Sequence, residues 1–204
     1  MDTLDQLIDT AGPLLRRVDE LLSGVGAPPD HEVWTAMRRV RLLPGDAAHA
    51  VAALRAGDLE EAAPELRADA RGYAGIAESL PPPGTWTGDA ADAFDAARRR
   101  TADHLSGGPD SLDERLEATA DLADALIGWM GQTRADLART LAQVLGSAEA
   151  LSLSSDSAID PAATGEVVAA ADVGRRILQT VAESYELAAD LLHGSAGLAT
   201  AARS

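Results

Sequence analysis

Pro81-Pro82-Pro83-Gly84-Thr85-Trp86-Thr87-Gly88-Asp89-Ala90-Ala91-Asp92-Ala93-Phe94 interrupts two long amphipathic stretches. Three prolines and a glycine cannot continue a helix, so the chain stops and turns here. Trp86 therefore sits in a tight connection between helices. Gly88 permits a left-handed or closely approaching backbone. Asp89 is placed to cap a helix starting at Ala90 and to favour the positive end of its dipole. Phe94, the sole phenylalanine, follows more than one turn later. A plain reading of Trp86 is that it plugs the end of a helical bundle.

Outward from the turn, helical periodicity dominates. Toward the N-terminus, Leu59, Ala62, Ala63, Leu66, Ala70, Tyr73, Ala77 and Leu80 form one stripe of a first arm spanning 46–80. Gly57-Asp58 breaks that arm, with Asp58 and Glu61 fitting a capping pattern, and Pro64 suits the first turn of the resumed helix. Before the arm lie N-terminal helices within 1–45. Leu4, Leu7, Ile8, Ala11, Leu14, Leu15, Val18, Leu21 and Leu22 mark one apolar face there, with Gly12-Pro13 predicting a kink or two short helices. A short helix over 30–43, with Asp30 as its cap, is predicted to end at Pro44-Gly45.

Beyond the turn, a second arm begins at Ala90, is interrupted at 106–109 by Ser-Gly-Gly-Pro, and restarts at Asp110 or Ser111. Its stripe alternates steps of four and three from Leu112 through Leu126, Met130, Thr133, Leu137 and Val144 to Leu151, a heptad-like seam that requires a partner helix. Trp129 lies beside this seam. A Ser/Asp-rich loop is expected over 152–160. A last helix follows over 161–192, about 48 Å long at 1.5 Å per residue, with a frayed end from Gly194 to Ser204. The fold class is all-α, an elongated helical bundle built around a central hairpin over 46–151 with extra N- and C-terminal helices.

Composition narrows the function. Thirty-three acidic against 17 basic residues give a net charge of -16, which repels phosphate backbones and anionic lipid heads. Nucleic-acid binding is disfavoured. No apolar run reaches the roughly 20 residues that span a bilayer, so no membrane insertion is expected. Met1-Asp2-Thr3-Leu4-Asp5 is acidic and carries no positively charged region ahead of an apolar block. The expected localisation is secretion by a route independent of a signal peptide, with the cytoplasm as the alternative. Cysteine is absent, which removes disulfides, thiol nucleophiles and thiolate metal sites.

Helix, Trp-x-Gly turn, helix resembles the WXG family of small type VII (ESX) secretion substrates, through Trp86, Gly88 and the Ala-Ala-Asp-Ala-Phe run ending at Phe94. The resemblance implies a helical hairpin that packs with another into a four-helix bundle, as a homo- or heterodimer. It implies that Trp86 and Gly88 form half of an export signal, with Phe94 seating the turn. In that family a Tyr-x-x-x-Asp/Glu motif supplies the other half. Tyr185 is the nearest counterpart here, but Ala189 stands four residues on and the acid, Asp190, five; one residue is about 100° around a helix. The chain is also about twice the family's minimal length. The added helices would then complete the bundle within one chain and bring Tyr185 toward the Trp86 turn.

No enzyme signature is present. His31, His49, His104 and His193 are scattered, no Glu precedes a His by three residues as in di-metal bundles, and no Gly-x-Ser-x-Gly elbow or phosphate loop occurs. The reading is a non-enzymatic protein with no catalytic, cofactor or metal residues. It acts as a secreted effector, carrier or partner through helix packing, with type VII machinery and a protein partner or a second copy as its contacts. The alternative is a cytoplasmic adaptor or chaperone of a type VII-associated protein.

Overall fold

The N-terminal helix forms because its apolar residues fall on one face. In the computed structural model, which describes residues 2–108, 110–154 and 164–201, α1 runs unbroken over Thr3–Gly24. Asp2 caps it by accepting from the Asp5 N–H at 3.0 Å. The helix is not divided into two short ones at Gly12-Pro13. Pro13 and Asp9 both face solvent, so the carbonyl that loses its helical donor is placed to be hydrated. Burial of the stripe from Leu4 to Leu22, at about 1.5–3 kcal/mol per large side chain, outweighs a proline cost of about 3 kcal/mol.

The next helices are α2 (Val33–Val40) and α3 (Pro44–Ala52). Asp30 does not cap α2; His31 does the local work, its Nδ1 accepting from the Val33 N–H at 3.1 Å. Arg41, at φ 62°, ends that helix in the left-handed region. Pro44 starts α3 instead of terminating its predecessor, because a first-turn proline gives up only an N–H that has no helical partner. The predicted first arm is accordingly divided into α3, α4 (Gly57–Glu60) and α5 (Ala62–Ser79). Three further corrections concern the second half. The long helix α7 (Leu112–Leu145) stops at Gly146, and Ser147 caps a separate α8 (Ala148–Leu153), accepting from the Ala150 N–H at 3.3 Å. The restart changes the buried register: Ala150 and Leu153 go inside and Leu151 is 74% exposed. The last helix, α9, covers Thr164–Ala201, so the segment expected to fray after Gly194 is helical through Ala201, in keeping with its alanine content. The expected loop at 152–160 and the start at Pro161 lie largely outside the described residues. With α6 (Asp89–Leu105) there are nine helices and no strand among the described residues: the fold is all-α. No helix among them is long and apolar enough to cross a membrane.

Contacts divide the chain into two compact units, one of Met1–Arg55 with Trp129–Ala188 and one of Ala56–Gly128 with Ala189–Ser204. The first is built on large aliphatics: Leu4, Leu15 and Leu21 of α1, Val33 of α2, Val51 of α3, Leu137 and Leu141 of α7, and Ile177 and Leu178 of α9 are all at most 2% exposed. α1 and α3 approach closely enough that Gly45 donates its N–H to Asp19 Oδ1 at 3.0 Å. Burial pushes the Asp19 carboxyl above its ordinary range, with the Gly45 N–H acting in the opposite sense. Gly174 of α9 is another close approach: a β-carbon there would stand 3.0 Å from both Leu22 Cδ1 and Pro44 Cγ.

Arg134 ties this unit together. Its side chain is 12% exposed. It donates from Nη2 to Asp2 Oδ2 at 2.6 Å and to Asp5 Oδ1 at 2.9 Å, and from Nη1 to the carbonyls of Ala52 and, at 3.2 Å, Leu54. One guanidinium thus binds the acidic start of α1 and the carbonyl end of α3, where helix dipoles favour a cation.

The second unit has a much smaller core. Ala63 of α5 packs with Ala120 and Ala123 of α7, and Leu66 lies partly buried against them. α5 and α6 pack on each other as a hairpin. Arg67 spans from α5 to α7, donating to Asp121 at 2.6 Å and Asp124 at 2.8 Å.

Candidate functional site

The hairpin turn is built from backbone restrictions. Leu80 leaves α5 with φ -59° and ψ 120°, the extended conformation that a following proline imposes. The triproline run carries the chain away, and Gly84, at φ +65°, turns it. The Trp86 N–H closes this turn on the Pro83 carbonyl at 3.3 Å. Gly88 then adopts φ 92°, ψ 179°, a region that is essentially restricted to glycine. Its carbonyl accepts from the N–H groups of Ala91 at 2.9 Å and Asp92 at 3.1 Å, so Gly88 occupies the cap position of α6. Asp89 is not the cap: it is the first helical residue, and no side-chain cap bond is formed. Asp89 and Asp92 still place negative charge in the first turn, where the dipole favours it.

This geometry brings Trp86 and Phe94 together. Their ring centroids are 5.9 Å apart at an interplanar angle of 65°, the edge-to-face arrangement that aromatic quadrupoles favour. The pair is not buried: Trp86 is 65% exposed and Phe94 40%. Ile76, near the end of α5, is 50% exposed. The outward face of α6 adds Ala90, Ala93 and Ala97, and that of α5 adds Gly72 and Gly75, all exposed. The site is therefore a tight turn presenting two exposed aromatic rings in contact, with several small exposed side chains on the flanking helices.

Tyr185 lies in the other unit, and its ring meets Trp129 at 6.4 Å and 37°. The Trp129 indole donates to the Ser184 carbonyl at 2.8 Å, and the Ser184 and Thr133 hydroxyls bond to each other. Tyr185 is 37% exposed, and Asp190 is exposed. The pairing of Trp129 with Tyr185 had no signal in the sequence beyond the position of Trp129 beside the seam. Arg134 was equally hidden, although a cation next to a seam position is the kind of residue that draws carboxylates.

The histidines have local roles. His31 Nδ1 accepts from backbone, leaving Nε2 to carry the proton 3.5 Å from Asp172 Oδ1. His49 Nδ1 meets the Gly45 carbonyl at 2.8 Å and His193 Nδ1 the Ala189 carbonyl at 2.6 Å; His104 is exposed. Asp113 is held below the usual carboxylate range by the hydroxyls of Ser106 and Ser111, which ties the start of α7 to the end of α6. No family model matches this chain, and no curated protein or solved structure matches it.

Proposed function

We propose that this chain is a non-enzymatic helical protein that acts by packing its hairpin on a protein partner and is exported by type VII secretion machinery. One observation carries the reading: Trp86 stands 65% exposed on a turn whose conformation depends on Gly88, with Phe94 fixing the orientation of its ring. Leaving most of a tryptophan in water forfeits its hydrophobic contribution, whereas tryptophan anchors are favoured at protein interfaces. The arrangement suits recognition better than core packing. The net charge of -16 is consistent with a protein partner and opposes nucleic acid.

The test is to follow the protein in culture filtrate and lysate of its host, with and without the type VII secretion ATPase. Appearance in the filtrate only when the ATPase is present supports the reading, and Trp86→Ala should then abolish that appearance. Retention in the lysate of both strains, with expression and lysis controls in order, removes the export reading. A second reading, a cytoplasmic adaptor or chaperone, is favoured by a separate observation: Tyr185 is engaged with Trp129, and the position four residues after it is Ala189, with the acid Asp190 one place beyond the family spacing.

A further inference from the structure

We infer that the Ala56–Gly128 segment opens as a cooperative piece of its own while the unit of Met1–Arg55 and Trp129–Ala188 stays folded, and that the break in α7 falls at Gly128. Three observations carry this, none of them dependent on the proposed export.

The first is the contrast between the cores. The unit that contains α1 buries leucine, isoleucine and valine from six helices. The other buries Ala63, Ala120 and Ala123 with Leu66 packed beside them, and Ala70 and Ala91 elsewhere. An alanine removes little apolar area from water, and hydrophobic stabilisation follows area. The entropy of ordering each residue is nearly independent of side-chain size at the backbone level, so the smaller core leaves less net stability per ordered residue.

The second observation is the division of α7. Its 129–145 half is anchored by Leu137, Leu141 and Val144, each 0% exposed, and by Arg134. Its 112–128 half is anchored by Ala120 and Ala123 and by the ion pairs of Arg67, whose partner carboxylates Asp121, Asp124 and Glu117 are 74%, 52% and 46% exposed. Exposed ion pairs of that kind contribute little.

Third, Gly128 and Gly131 sit inside α7 at this division. Both are exposed, and no atom lies within 4 Å of a β-carbon built on either. Packing does not require glycine at these positions, and alanine would fit both. Each glycine lowers the helical equilibrium at its position about two- to fivefold relative to alanine. The helix is thus weakest where its halves pass from one core to the other. Low-stability pieces of this type open below the global unfolding free energy. When open, this piece presents Leu66 and the alanine faces of α5 and α7.

Native-state hydrogen exchange of the full chain, read by residue, tests the inference. Amides of 113–127 are expected to exchange through an opening at least about tenfold more populated than the one that exposes 133–145. Gly128→Ala should slow exchange over 113–127 by about two- to fivefold and leave 133–145 unchanged. Leu66→Ala should speed exchange over 113–127 and spare 133–145. Equal opening across both halves of α7, or variant effects of equal size on both, would overturn the separate opening. If 113–127 does not respond to Gly128→Ala, the break is not at Gly128 and that part of the inference fails.

Discussion

Replacing Trp86 by alanine separates a ring used for recognition from a ring used as a plug. A tryptophan has about 250 Å² to bury. With the residue 65% exposed, roughly a third of that, about 85 Å², leaves water on folding, which is worth about 2 kcal/mol at 25 cal/mol per Å². That figure is an upper bound, since the unfolded chain already shields part of the area. The edge contact with Phe94 adds about 0.5–1.5 kcal/mol. Trp129 provides the internal comparison. It is partly buried, in tilted contact with Tyr185 and bonded through its indole N–H to the Ser184 carbonyl, and truncation of such a tryptophan costs about 3–5 kcal/mol. Urea unfolding followed by far-UV circular dichroism, with exchange resolving the two units, should rank Trp129→Ala well above Trp86→Ala. Phe94→Ala combined with Trp86→Ala should show a coupling of about 0.5–1.5 kcal/mol. If Trp86→Ala destabilises its own unit by about 4 kcal/mol or more, beyond the sum of its burial and edge-contact contributions and on the scale of a buried aromatic, the ring is a structural plug and the recognition argument fails.

Other outcomes follow from the same structure. Gly88→Ala places a β-carbon at φ 92°, ψ 179° and should cost about 1–3 kcal/mol, seen as a lower urea midpoint together with lost Trp86–Phe94 contact in NMR spectra. Gly174→Val forces atoms against Leu22 and Pro44 and should destabilise by about 1–3 kcal/mol through overpacking, with Leu178→Ser as a stronger control; an unchanged melting temperature would contradict the close approach. Asp2 is held below the ordinary carboxylate range by the Asp5 N–H and then Arg134, and Asp5 by its bond to Arg134. Their contribution is therefore present above about pH 4 and lost as pH falls through the lowered values. Arg134→Met should reduce stability at pH 7 and flatten the acid loss, checked by urea midpoints at pH 7 and pH 3. Asp19 has the opposite sign: burial raises its value, so stability declines as pH rises from about 4 through the raised value. Asp19→Asn should remove that decline while keeping an acceptor for the Gly45 N–H, and a pH profile identical to wild type would show that burial does not act on this carboxyl.

Local preferences made much of the architecture legible from the chain. Alternating steps of three and four predict helices because a helical face repeats at that spacing. Pro81 to Gly88 predicts a turn because proline lacks an N–H and only glycine tolerates φ 92° with ψ 179°. These are properties of a residue and its immediate neighbours. Where they failed, packing had outweighed them: Pro13 is absorbed into α1 because it faces solvent on a helix whose other side is buried, and the seam through Leu151 shifts register because Ser147 offers a new cap. The tertiary structure alone decided that Trp86 and Phe94 touch yet remain exposed, that Tyr185 rests on Trp129, that Arg134 gathers Asp2, Asp5 and the end of α3, and that two cores of unequal size divide α7 between them. Exposure and partnership depend on residues that are distant in sequence, whose meeting reflects the summed burial of the whole chain, and no periodicity within one helix encodes which surface lies opposite it.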